Sequence, residues 1–533
     1  MAEKRLKLCG WGFEGDGLSK EDTDILLERV RTRHGIEAAE PRYAPTLEAI
    51  ELPKPKTDIP AALQAFSENA VYDRATHTYG KSYPDYLNIF DGNFTNAPDF
   101  VAYPRNEDEI EAALDWATGA RVAVIPFGGG SSVVGGVEPA VGTGFAGAIS
   151  LDLTKLDQVV EIDRTSRAAR IQGGIRVPAM EAALKPHGLT MRHFPQSMDM
   201  ATLGGMIATR SGGHYATLYT HIDDFVESLR TVTPNGVMES RRLPGSGAGP
   251  SPDRLMIGSE GALGIITEAW MRLQDRPTHR ASSTVLFDDY TKAADAVRAV
   301  SQAGLFPANL RLLDAAEAYN NGFGDGRQSV LVLNFESADH PLDAWLARAR
   351  EICGDYGGTY DTDTAQDPDA HRSGAAGAWR KAFIEMPHYR EILVSIGVVA
   401  DTIETAVTWD AFPAFHDNVT AAAHAAIEEA TGRPGTVSCR FTHVYPDGPA
   451  PYYSLQGAGR HGALDEQWRH IKAKASDAVI EHGGTITHHH AVGRDHMPWY
   501  VRQRPDTFGA ALAGAKARLD PAGILNPGVI VPV

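Results

Sequence analysis

The 533-residue chain is poor in cysteine: Cys9, Cys353 and Cys439 stand far apart and in no CxxC pattern. That excludes a disulfide framework and a cysteine-rich zinc site, and it fits a reducing compartment. Long apolar runs are missing too. The best, Ile392–Ala400, reaches about half of the ~18 residues that a membrane helix needs. The opening MAEKRLKLCGWGFEG carries no apolar stretch of the secretory kind. The closing VPV matches no peroxisomal or lipidation signal. The expectation is a soluble cytoplasmic protein, at most peripheral to a membrane. Basic residues are short as well: 50 Lys+Arg against 68 Asp+Glu leave a net charge of −18, which argues against nucleic acid as a partner. There is no internal repeat and no low-complexity tract.

Glycine is in excess: 53 residues, against an ordinary share of about 7%. With no collagen-like period, those glycines must act locally. The pattern along the chain is α+β rather than repeated βαβ. Residues 1–95 form a lead segment with a helix, opened by a capping box at Ser19 and Asp22 and striped by Ile25, Leu26 and Val30. Residues 96–275 alternate short strands (Phe100–Tyr103, Arg121–Pro126, Ala148–Leu153, Gln158–Ile162, Ala168–Gln172) with a helix at Glu107–Ala120. Leu243–Pro252 reads as a surface loop. A second unit, 276–490, holds a helix at Ala294–Ala303, a strand at Ser329–Phe335 and a loop, expected to be mobile, at Asp361–Ser373. Asp401 with Glu404 reads as a second capping box opening a helix. Residues 491–533 return to the first unit.

Three glycine-rich segments carry the chemistry. Gly10–Gly15 spells GxGxxG, but charged residues precede it where the dinucleotide fingerprint needs a buried strand, so a plain turn is the better reading. Pro126-Phe127-Gly128-Gly129-Gly130-Ser131-Ser132, running on to Gly135 and Gly136, follows an apolar strand directly. Successive glycines there can turn backbone N–H groups into one concavity for phosphate oxygens, while a glycine-rich hairpin is the plainer alternative. The Lys-Ser/Thr of a P-loop is absent. Two further segments place small residues where a backbone can approach a flat ligand. One runs from Pro195 and Ser197 through Thr202, Gly204 and Gly205 to Thr209. The other holds Gly258, Glu260, Gly261, Gly264 and Ile265.

Together, these three segments resemble the FAD-binding domain of the vanillyl-alcohol oxidase/p-cresol methylhydroxylase superfamily. The resemblance implies a two-domain fold, an FAD-binding domain with a substrate-binding cap, and FAD held by the residues just named. Pro307–Asp314, Asp401–Trp409, Cys439–Tyr445, Tyr452-Tyr453 and Thr487-His488-His489-His490 further resemble the alkyldihydroxyacetonephosphate synthase family. That likeness implies exchange of the acyl group of acyl-dihydroxyacetone phosphate for a fatty alcohol through an adduct at flavin N5, with no net redox. Tyr452, His488, His489 and His490 would then handle protons, and Arg311 would hold the anionic part of the substrate. Taken as an extended segment, the triplet places His488 and His490 on one face and His489 on the other. A tyrosine needs neighbouring cations for such work. No metal is expected. Related 2-hydroxy-acid dehydrogenases carry Glu-His-Gly where His489-His490-Ala491 stands, and a further histidine where Ala450 stands. The family's lysine-rich run after the Thr-Leu-Gly-Gly segment is replaced here by Ser211–Asp224. A small lipid substrate, a second copy of the chain as homodimer and, transiently, a membrane surface complete the expected partners. The competing readings are an FAD-linked oxidase or dehydrogenase of a 2-hydroxy acid or alcohol, and a non-catalytic binding protein on the same fold.

Overall fold

The computed structural model describes residues 4–215, 218–322, 324–360 and 374–532, with side chains in the last stretch from 385 onward. The fold is α+β, and each sheet follows from its sequence. In the first, Val122–Phe127 (VAVIPF) runs parallel to Gly147–Asp152, and nearly every residue of both is buried. A short continuous apolar run suits a strand covered on both faces. Val101–Ala102 and Ser67–Glu68 complete that sheet. The helix Glu107–Ala120 is capped by Asn106 and buries Ile110, Ala113, Leu114 and Ala117, the residues expected from their spacing.

A second, antiparallel sheet has the order Val159–Asp163, Ala168–Gln172, Ile265–Arg272, Val226–Thr233, Gly236–Glu239. The segment around Glu260 therefore feeds straight into its central strand. The third sheet is the cap. Its seven antiparallel strands run Thr359–Tyr360, His279–Phe287, Ser329–Ser337, Asn309–Leu313, Thr436–Val444, Pro449–Ala458, Val398–Glu404. The helices Tyr290–Gln302, Asp343–Asp355, Phe412–Thr431 and Leu464–Glu481 pack against it and share its largest apolar core. The chain end comes back to the first sheet: Leu525 bridges Val124, and Asn526 Nδ2 donates to the carbonyls of Gly136 and Glu260 at 3.1 and 2.8 Å.

Several local expectations change. Asp401 and Glu404 do not open a helix; they lie in the edge strand Val398–Glu404. The preceding Val398, Val399 and Ala400 are buried in strand pairing with Gly457 and its neighbours, and each carboxylate finds a distant partner. Asp401 pairs with Lys472 at 3.3 Å and accepts from Trp468 Nε1 at 3.0 Å. Tertiary partners overrode a local capping signal. The apolar run Ile392–Ala400 is divided between a helix end and this strand. The helix expected at Ala294 begins at Tyr290, because the Asp289 carboxylate accepts from the N–H groups of Thr291 and Lys292. Gly10–Gly15 is a turn closed by a bridge between Leu6 and Phe13. Asp361–Ser373 lies outside the described residues. Among those described, no helix is long and apolar enough to cross a membrane.

Candidate active site

A cavity of about 350 Å³ opens between the two smaller sheets and the cap. All three glycine-rich segments line it: Pro126–Ser132, then Pro195, Ser197, Thr202, Gly204, Gly205 and Thr209, then Glu260, Gly261, Gly264 and Ile265. The glycines there are required by contact between protein loops. A Cβ on Gly128 would sit 2.2 Å from Thr202 Oγ1, and one on Gly129 would sit 2.0 Å from the Met200 carbonyl oxygen. Small residues thus let the first loop lie against the second. The backbone N–H groups of Gly129, Gly130 and Ser131 donate to no acceptor among the described residues. That is the donor set a pyrophosphate requires, in a wall that carries little charge of its own. Beside it, burial pushes the Glu260 carboxyl up to about 7, against the N–H donors of Val492 and Gly493 at 2.8 and 2.9 Å.

The cap wall is built differently. Strand register sets Glu404 and Arg440 on either side of Tyr452, so three neighbouring strands present one row. Arg440 lies 3.8 Å over the Tyr452 ring in a cation–π contact, and it is ion-paired with buried Glu317. Arg311 follows on the next strand, only 2% exposed, its Nη2 donating to the Thr442 carbonyl at 3.2 Å. Burial, and then the charge of Arg440, bring the Arg311 guanidinium down to about 9. An anion bound here would relieve both effects.

The histidine triplet does not form an extended strand. Its backbone wraps one carboxylate: the N–H groups of His488, His489 and His490 donate to Glu404 at 2.7, 2.9 and 2.9 Å, and the Thr487 hydroxyl joins them. Burial opposes ionisation of Glu404, but the surrounding histidines, His489 at 3.2 Å foremost with His490 and His488, together outweigh it and hold this carboxyl well below its usual range. His489 and His490 therefore both face the cavity, their rings 6.2 and 5.6 Å from that of Tyr452. His488 is not on the cavity wall; it turns outward to Tyr445 and His221. The alternation expected of the triplet is thereby corrected. Burial keeps His443, His488 and His490 below the usual imidazole range and neutral near pH 7.

His443, His488 and His489 bring ring nitrogens within 4.8 Å of one another. Those rings already have protein partners: His443 Nε2 meets the Gly213 carbonyl at 2.8 Å, and His488 Nδ1 meets His489 Nδ1 at 3.0 Å. We read the trio as a hydrogen-bonded cluster. Sequence reasoning passed over Lys81 and Arg390, which also line the cavity. It took Glu404 for a cap, although this carboxylate organises the whole triplet. No local pattern marks such residues, because their partners lie tens to hundreds of positions away.

Comparison with known proteins agrees with this geometry. Residues 98–240 match the model of an FAD binding domain, and 276–530 that of the C-terminal domain of FAD linked oxidases. The alkyldihydroxyacetonephosphate synthases of Dictyostelium discoideum and Trypanosoma brucei brucei are each 29% identical over 86% of this chain, covering 77% and 78% of their own. Glycolate oxidase subunit GlcD of Bacillus subtilis is 28% identical over 82% of this chain and 89% of its own. Two solved structures share the fold across 98% of this chain and of theirs. They are an alkyldihydroxyacetonephosphate synthase (24% identity, TM-score 0.81) and p-cresol methylhydroxylase (13%, TM-score 0.68). The fold and the loop wall define an FAD-binding flavoprotein. The chain belongs to the FAD-linked oxidase superfamily, as an alkyldihydroxyacetonephosphate synthase-like member.

Proposed function

We propose that the protein exchanges the acyl group of an acyl-dihydroxyacetone phosphate for a fatty alcohol, the ether-forming step of ether-lipid synthesis. The observation that carries this reading is one cavity with two walls. One side carries N–H groups of Gly129–Ser131 that have no acceptor among the described residues, and the other the row Arg311, Arg440, Tyr452, His489 and His490. Gly129, Gly130 and Ser131 would hold the pyrophosphate of FAD, with Thr202–Thr209 and Glu260–Ile265 along the rest of the cofactor. Bound FAD supplies an electron-poor ring that can take up and return a substrate electron pair without net oxidation.

The protein's own residues do the rest. Arg311 takes the substrate phosphate, where a dianion meets a buried guanidinium in two directed hydrogen bonds. Arg440, fixed by Glu317, holds Tyr452 in place and adds positive potential at its ring. Tyr452 and His490 move the proton of the substrate carbon, and His489, steadied by Glu404, takes the proton of the incoming alcohol. The apolar surface of Leu393, Ala400, Leu455 and Met386 excludes water and leaves the alcohol as the available nucleophile.

The test is incubation of the flavin-loaded protein with acyl-dihydroxyacetone phosphate and hexadecanol. Release of one fatty acid per ether formed is expected; no ether product across chain lengths overturns the assignment. A second reading rests on the glycolate oxidase relative and on Arg311, which suits a carboxylate equally well. Anaerobic bleaching of the flavin by a 2-hydroxy acid would favour it.

A further inference from the structure

His488, the triplet member that leaves the cavity wall, joins the inside to the outside. Its Nδ1 lies 3.0 Å from Nδ1 of His489, which lines the cavity. Its Nε2 lies 2.6 Å from the Tyr445 hydroxyl and 3.2 Å from Nε2 of His221. Tyr445 and His221 are partly exposed, and exposed Pro446 and Asp447 follow Tyr445 directly. His221 belongs to Ser211–Asp224, the stretch that replaces the lysine-rich run of the resembled family. We propose that His488, Tyr445 and His221 form a proton exit from the catalytic cavity, with Tyr445 and His221 as positioning residues that carry the proton from His488 to solvent.

The inference rests on the transferase reading, whose proton balance requires an exit. The ester C–O bond breaks, the ether C–O bond forms, and the alcohol O–H bond is lost. The acyl group leaves as a carboxylate at neutral pH, since carboxyl groups titrate near 4. One proton per turnover is therefore left inside, with nothing oxidised or reduced. Neutral imidazoles suit its passage, because a ring accepts at one nitrogen while it releases from the other. Burial and neighbouring positive potential keep His488 neutral, and burial brings His221 down to about 4. The groups facing this line from the cavity side are Glu404, His443, His489, His490 and Arg311. From the outer side they are Arg210, Asp223 and Asp224, with the Thr220 hydroxyl beside Tyr445.

The test uses the flavin-loaded full chain as wild type, His221→Ala, Tyr445→Phe and the double variant. The double variant is expected to lose about 100-fold in kcat at pH 7, the lower end of the usual weight of a positioned proton-transfer group. KM and the flavin spectrum should hold. Added imidazole should restore His221→Ala, and the solvent deuterium effect on kcat should rise. An active wild type whose double variant keeps full kcat overturns the exit alone. So does a loss that imidazole does not restore and that comes with a disturbed flavin spectrum. A wild type that makes no ether product overturns the transferase reading and the exit with it.

Discussion

The two walls of the cavity recognise their ligands by different means. The loop wall is built from backbone and from the absence of side chains: Gly128 and Gly129 have no room for a Cβ, and the N–H groups of Gly129, Gly130 and Ser131 meet no acceptor among the described residues. The cap wall works with charge and proton-carrying groups set by strand register: Glu404, Tyr452 and Arg440 in one row, with Arg311 beside them. A chain of net charge −18 can thus hold an anionic cofactor and an anionic substrate by placing local donors against its own field. The difference teaches that the two functions are separable. Damage to the loops should cost the flavin, and damage to the cap should cost turnover while the flavin stays.

The largest effect expected is from Gly129→Val. Its Cβ would lie 2.0 Å from the Met200 carbonyl oxygen, which would force the first two loops apart. The variant should purify without bound flavin, read as loss of visible absorbance. Full yellow colour would break the separation. Next comes Arg311→Met. Removing charge-assisted bonds worth about 1.5–3 kcal/mol each should cost roughly 100-fold in kcat/KM, with flavin absorbance retained. Glu404→Gln is expected to be milder, about tenfold in kcat. A neutral amide still accepts part of what three N–H groups and a hydroxyl offer, but loses the negative charge that faces His489 Nδ1 at 3.2 Å.

The smallest expected effect lies on the loop side and depends on pH. The Glu260 carboxyl titrates at about 7 in the fold, raised by burial from an ordinary 4.5. The folded state therefore holds this proton more tightly than the unfolded one. Its contribution is full below 4.5 and is lost as pH rises through 7. Glu260→Gln has no such slope. Relative to wild type it should gain roughly 3 kcal/mol in denaturant stability between pH 4.5 and 8. A difference that stays flat over that range would place Glu260 outside the buried wall.

How far the sequence could be read follows the same division. The loop wall was legible because runs of small residues after an apolar strand are local; of the residues expected there, Gly135 and Gly258 do not line the cavity and the others do. The cap wall was legible only in its unusual residues. Tyr452, Arg311 and the triplet stood out. The backbone course of the triplet did not, because it depends on Glu404, more than 80 positions earlier. Asp401 and Glu404 read as a capping box since the spacing is local, whereas their partners Lys472 and His489 are not. Lys81 gave no signal, as burial against a distant loop leaves no mark in neighbouring residues.

The central claim is that the cap wall performs a transfer while the flavin ends as it began. The most direct measurement follows flavin absorbance, fatty acid release and ether formation together, during anaerobic turnover of acyl-dihydroxyacetone phosphate with hexadecanol. One fatty acid and one ether per turnover are expected, with the oxidised flavin spectrum restored when substrate is exhausted. Lasting bleaching of the flavin with no ether formed would contradict it.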